Sequence, residues 1–382
     1  MLRFGITAAG ALSAIALLSA GLAAQPPGTP GDGRGRWVQT WAGEAPSGSR
    51  VEVRGTGHIV VRGTDRPGVR YKLTTRGRAR RGQGWVPVVF KESGIVAELR
   101  SGDTTALTLR NPECGDCRVA FVIEIEVPRG TREVDLVTRD GGVDVRGIGG
   151  SVRARVAGGH LAIDDVGGSV AASTAGGNIR LGTIGGQVTC DTAGGSIELA
   201  RSTDAILRTS VGSIRAMRVA GDLNAETGGG SIEIGSVRGV VRARTGGGSI
   251  RVAEVGNGMH AEAEAGDIWI ERASGALVVS SGGGDIVAGL RDGARLLDSL
   301  LETSVGSVVI SLPGSLALTL DASIGVARGL RGIVSDFPSI EVHRVDGQIG
   351  AAAESAAGSI NGGGSLLRIR NGVGRIEIRR QP

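Results

Sequence analysis

The chain has 382 residues, with 68 glycines, 11 prolines and an aromatic content of 2%. So few rings exclude an ordinary aromatic-cored globule, and 21% charged against 40% apolar residues is too balanced for a disordered chain. Glycine without a triplet period is not collagen, and the formal charge of +5 rests on arginines that do not interleave with aromatics, so no nucleic-acid partner is expected.

Residues 1–24 place Arg3 before an apolar run from Ile6 to Leu18 and the small residues Ser19 to Ala24. This is the pattern of a secretory signal peptide, and no later stretch is apolar enough for a transmembrane segment in the mature chain. The protein is therefore expected to be exported, to the periplasm or the cell surface. Residues 25–36, rich in Pro, Gly and Arg, read as a flexible leader.

Residues 37–140 contain short alternating runs, including Val51 to Val53, His58 to Val61, Val69 to Leu73 and Val119 to Val127. They read as an irregular β capping region that covers a sheet end otherwise open to aggregation. Cys114 and Cys117 lie just before the last of these runs. A redox Cys-x-x-Cys needs a helix N-terminus, whereas a strand follows here. In an exported chain the expectation is a local disulfide, with free thiols or a metal site as alternatives.

Residues 141–290 repeat. One apolar series runs Val143, Leu161, Ile179, Ile197, Ile214, Ile232, Ile250, Ile268, Ile286, and a second Val152, Val170, Val188, Ile206, Leu223, Val241, Met259, Leu277. Both step by eighteen, with one step of seventeen that implies a deletion near 206–223. An anchor of the first series is usually followed two residues later by another large apolar residue, and one of the second by a small residue such as Ala172, Cys190 or Ala243. Alternation of this kind belongs to strands. The fold expected is all-β: a single-stranded β-solenoid, parallel β-helix-like, whose coils of about eighteen residues hold two strands each and stack on one another.

Two outward columns support in-register stacking. Arg180, Glu198, Arg215, Glu233 and Arg251 alternate in sign from coil to coil. His160, Asn178, Ser196, Ser213, Ser231, Ser249, Asp267 and Asp285 supply small or polar groups suited to a corner. Residues 291–382 read as interrupted C-terminal coils and a cap. The run Val308 to Gly314 resembles Val122 to Gly130, which raises the prospect of two fused solenoid segments, and Ile360 and Ile378 are taken to resume the eighteen-residue step.

No residue pattern assigns a catalytic, cofactor or metal site. Aspartate recurs in the repeat only at 267 and 285, too rarely for calcium, and the histidines at 58, 160, 260 and 343 have no zinc spacing. Asp164, Asp165, Glu262 and Glu264 are the acids a glycan-cleaving enzyme would draw on, but short corners offer them no cleft. Trp269 follows Arg251 in the outward column; the pair is a candidate surface contact, where the ring either stacks on a sugar or stands alone. Cys190, in a small inward position, reads as core.

The signal peptide, the Val-Pro-Arg-Gly step at 127–130, the Gly-[Ser/Asn/Asp]-Ile repeats and the closing Asn361 to Ser365 with Arg375-Ile376-Glu377-Ile378 together resemble the bacterial putative-adhesin family, over about residues 45–379. That family is an exported β-solenoid domain of unknown function, related to adhesin heads. The resemblance implies a non-enzymatic surface in the cell envelope, with polysaccharide or a surface protein as candidate partners. The alternatives are a polysaccharide-active β-helix enzyme, lyase or hydrolase, and a self-assembling envelope scaffold.

Overall fold

A computed structural model describes residues 36–78, 94–100, 103–110, 119–327, 332–346 and 352–381. The expected signal peptide, nearly all of the leader and the Cys114–Cys117 pair lie outside these residues. Among the described residues there is no helix, and every strand belongs to one continuous ladder.

The regular coils follow from alternation. In the strand Ile232–Val237, Ile232 and Ile234 point inward and Glu233 outward; in Val241–Thr245, Val241, Ala243 and Thr245 are buried while Arg242 and Arg244 are exposed. Neither strand can pair with its own coil, so each pairs parallel with its equivalents in the coils on either side. Ile214, Ile232, Ile250, Ile268 and Ile286 thereby lie in consecutive register and are almost fully buried. Each such side chain contributes about 1.5–3 kcal/mol relative to an exposed one. A third inward column, at the corner closing the first strand, runs Ile148, Val166, Ile184, Ser202, Val219, Val237, Val255, Ala273, all buried.

The register corrects the second series at one place. Val188 pairs with Ala205 and Cys190 with Leu207, so Ile206 is a half-buried outward residue, not an anchor. The missing residue falls in the corner between Ser202 and Ala205, not between 206 and 223. Volume compensates in this coil: the second strand carries the large Leu207 where its neighbours carry Cys190 and Ala225, and the next first-face strand carries Ala216 where its neighbours carry Leu199 and Ile234.

Hydroxyl stitches close the corners. Thr245 is fully buried; its Oγ1 donates to the Gly230 carbonyl of the preceding coil at 2.7 Å and accepts the Gly248 N–H of its own corner at 3.2 Å. Thr174, Thr192, Thr209, Thr227 and Ser281 make the same two bonds. The column from His160 to Asp285 works alongside: His160 Nδ1 accepts the Asn178 N–H and Asn178 Oδ1 the Ser196 N–H, both at 2.9 Å, and the serines and aspartates continue the pattern. Corner amides that a tight turn leaves unpaired are thus satisfied from the adjoining coil.

Glycine pairs at these corners divide into two kinds. A Cβ on Gly159 would fall 1.7 Å from the Gly141 carbonyl oxygen, so close coil stacking demands glycine there. A Cβ on Gly158 would meet nothing within 4 Å, its φ is ordinary, and Val211 and Ala265 occupy the equivalent position in other coils.

At both ends the layers depart from chain order. Arg50–Gly55 and His58–Thr64 form a coil between Glu133–Thr138 with Val143–Ile148 on one side and Thr104–Arg110 with Val119–Pro128 on the other. Val69–Arg78 then folds antiparallel on Val119–Pro128, and Arg36–Ala45 adds antiparallel beyond it. At the C-terminal end Ser299–Leu312 follows both faces of one coil, and Ser365–Arg380 slots between it and Leu318–Ala327. Ala352–Ile360 and Ile340–Asp346 finish the stack antiparallel. Ile360 and Ile378 are therefore not successive rungs: one faces Leu318 antiparallel, the other Ile310 parallel. Among the described residues no second solenoid begins after Val308; the same ladder continues. The outermost strand exposes Glu341, His343 and Arg344, charges that discourage further edge pairing.

Candidate functional site

The second strand of each coil ends with three residues of fixed character. The first points outward, the second is the stitched inward Thr or its replacement, and the third begins the corner. Stacked at about 4.8 Å, the first residues form a charged rail including Arg155, Asp191, Arg208, Glu226 and Arg244, while the third form a low floor of Ala157, Ala175, Ala193, Ser210, Gly228 and Gly246. Rail and floor bound a groove of about 1030 Å³, running along the stack from Val137 and Arg139 to Glu264. Its charges pair from coil to coil: Arg155 with Asp135 at 3.7 Å, Arg208 with Glu226 at 3.6 Å, and Arg244 with Glu262. Arg139 stands at one mouth and Glu264 closes the other. The groove is long, shallow and repetitive, and its relief comes from small residues that would each look like ordinary corner residues in the sequence.

On the opposite face the ladder beside the first anchors forms as the alternation of charge implies. Arg180 Nε donates to Glu198 at 2.9 Å and Arg215 Nε to Glu233 at 3.0 Å. The hydrogen bond from Arg180 holds the Glu198 carboxyl below the usual carboxylate range. These pairs are exposed and each is worth under ~1 kcal/mol, so they fix register more than stability. Arg251 lies over the Trp269 ring, 4.7 Å from its centroid. Trp269 is half-buried, paired in register with Arg251 on one side and Val287 on the other. The ring is a rung of the ladder, neither an isolated surface aromatic nor a bare platform.

Three of the four acids that an enzyme would draw on are engaged in the fold, and the fourth, Glu264, is exposed at the groove mouth. Asp164 Oδ1 accepts the N–H groups of Asp165 and Thr183, both at 2.9 Å; Asp165, at φ 53°, faces Arg129 at 3.2 Å; Glu262 pairs with Arg244. Among the described residues no three His, Cys, Asp or Glu side chains gather as a metal site. His58 Nε2 lies 2.9 Å from Asp144, and His160 is part of the corner column. Cys190 is fully buried, and burial pushes its thiol up well beyond the ordinary range.

No family model matches the chain, and no curated protein does. Among solved structures it resembles bacterial putative adhesins. A putative cell adhesion protein from Clostridium sporogenes aligns at 9% identity over 91% of this chain and 100% of its own, with a TM-score of 0.22. A putative adhesin from Bacteroides fragilis aligns at 11% identity over 90% and 97%, with a TM-score of 0.25. A putative lipid binding protein from Parabacteroides distasonis aligns at 14% over 72% and 89%, with a TM-score of 0.24. At these scores the superpositions carry no argument, and the all-β solenoid stands on the strand register of this chain. Among the described residues no helix is long and apolar enough to cross a membrane.

Proposed function

We propose that the protein is an exported, non-enzymatic envelope or surface solenoid of adhesin type, released from its signal peptide at residues 1–24, that offers a rigid face to an extended polysaccharide. In this reading residues 37–140 cap one end, 141–290 form the working rod and 291–382 complete and seal the other end. The observation that carries it is the groove from Val137 to Glu264: a shallow channel with a small floor residue in each of six consecutive coils and a polar or charged rail beside it matches an extended polymer better than a compact ligand. Stacked coils hold that spacing rigidly, so little ordering is left to be done on binding.

The test is a glycan-binding screen of the purified chain beside Ala193→Trp, which fills the exposed floor without entering the core. Binding lost in the variant at unchanged thermal stability is the expected result. Release of reducing ends or of unsaturated sugars from any glycan would overturn the non-enzymatic part in favour of a polysaccharide-active enzyme. Binding undisturbed by the tryptophan would overturn the groove.

A further inference from the structure

Next to the alternating Arg180–Glu198–Arg215–Glu233 ladder runs another outward column, at the end of each first-face strand, and here the alternation fails. Register stacks Arg201 directly on Arg218, with Thr183 on the far side of Arg201 and Ser236 on the far side of Arg218. Two guanidiniums bracketed by two hydroxyls make four consecutive donors spanning roughly 14 Å at one coil each. Among the described residues neither arginine makes an ion pair. The acids that could have served are committed elsewhere. Glu198 binds Arg180; Asp165, beyond Thr183, faces Arg129; Glu254, beyond Ser236, lies 3.8 Å from Arg272 and 3.7 Å from Arg291. Around the corner, Asp204 Oδ1 accepts the Asp222 N–H and Asp222 Oδ1 the Val240 N–H.

Like charges one coil apart are unfavourable unless an anion lies between them. The neighbouring outward column is low, with Gly182, Ala200 and Gly235, apart from Met217, which is 50% exposed. That leaves the guanidiniums open on one side, with an apolar side chain beside them.

We propose that Arg201 and Arg218, flanked by Thr183 and Ser236, bind the anionic groups of an acidic polysaccharide lying along the rod, with Met217 against the apolar face of a sugar ring. The inference rests on the reading of this protein as a polysaccharide-contacting surface, and it adds the ligand's charge and a second contact line. Planar guanidiniums suit sulfate and carboxylate oxygens equally, and the two sources are separated by experiment.

The full chain would be titrated calorimetrically, at low ionic strength, with a sulfated heparin-derived octasaccharide, an oligogalacturonate and neutral cellohexaose. At least one acidic probe is expected to bind and the neutral one not through this line; which acidic probe is tighter identifies sulfate or carboxylate. Arg201→Ser with Arg218→Ser should weaken binding by about tenfold or more, whereas Arg66→Ser with Arg295→Ser, removing the same charge from distant exposed sites, should change it by less than about threefold. Arg218→Glu turns the like pair into an ordinary rung with Arg201, and should abolish binding while leaving the melting temperature at or above the parent's. Equal loss in both double variants, binding that survives Arg218→Glu, or failure of both acidic probes would overturn the proposal. Cellohexaose binding blocked by Ala193→Trp, with neither acidic probe bound, would leave the groove standing and remove this line alone.

Discussion

The hydroxyl stitch gives the sharpest test of how the coils are held, because the chain contains its own missing case. Thr245→Val preserves shape and removes the Oγ1 that bonds the Gly230 carbonyl at 2.7 Å and the Gly248 N–H at 3.2 Å. Two net hydrogen bonds are worth about 1 kcal/mol each, and leaving a half-buried amide and carbonyl without partners adds a fraction of the usual 1–3 kcal/mol, so about 2–3 kcal/mol should be lost. One coil further, Ala263 occupies the same column, between Thr245 and Ser281, and no hydroxyl is present to meet the Gly266 N–H and the Gly248 carbonyl. Ala263→Thr should restore both bonds and stabilise by about 1 kcal/mol after the cost of fixing the side chain. Stacked coils can open locally, so hydrogen exchange is the suitable assay. The Gly248 amide should exchange faster in Thr245→Val and the Gly266 amide slower in Ala263→Thr. If Thr245→Val is silent, or Ala263→Thr destabilises, the buried hydroxyls are fillers and the stitching argument is wrong.

Ser202 is the one polar member of the corner column from Ile148 to Ala273 and its buried Oγ has no partner among the described residues, so Ser202→Val should raise stability by about 1–2 kcal/mol in denaturant melts; a loss would mean that the shortened corner needs the hydroxyl. Gly159→Ala should cost about 2–4 kcal/mol by forcing neighbouring coils apart, while Gly158→Ala should be neutral within about 0.5 kcal/mol, and equal effects would refute the division of the glycine pairs. Asp321 accepts from Arg370 at 2.6 and 3.1 Å, and that guanidinium, with Arg368, holds its carboxyl below the usual range. A depressed carboxylate stabilises the fold above its unfolded pKa, near ~3.9, and loses that contribution as pH falls through the folded value, so Asp321→Asn should flatten the acid limb of a stability–pH curve; an unchanged limb would refute it. Alkylation should leave Cys190 untouched until the rod unfolds, and mass spectrometry should find Cys114 and Cys117 joined; native labelling of either site would contradict the burial or the disulfide respectively.

The eighteen-residue spacing and the alternation within it were sufficient to specify strands, parallel stacking and the inward face, because backbone pairing between identical coils leaves a column of like side chains no other register. The same arithmetic located the charge ladder, since side chains stacked at one residue per coil are neighbours however the corners turn. It failed at Ile206, where one apolar residue is as good as the next on a list, and only the pairing of Val188 with Ala205 shows which of them faces the core. The Thr column was visible as Thr-Ala-Gly-Gly and Thr-Gly-Gly-Gly, but a threonine before glycines reads as a corner residue until its hydroxyl is seen between two coils. Groove, glycine division and the Arg201–Arg218 stack all depend on what lies one coil away, at distances of a few ångströms between residues seventeen or eighteen apart. At the chain ends the strand runs were legible but their pairing order was not. A strand that pairs with its sequence neighbour and one that slots between two others carry the same alternation, so the insertion of Ser365–Arg380 between Ser299–Leu312 and Leu318–Ala327 was decided by which partner edges remained open in the folded stack.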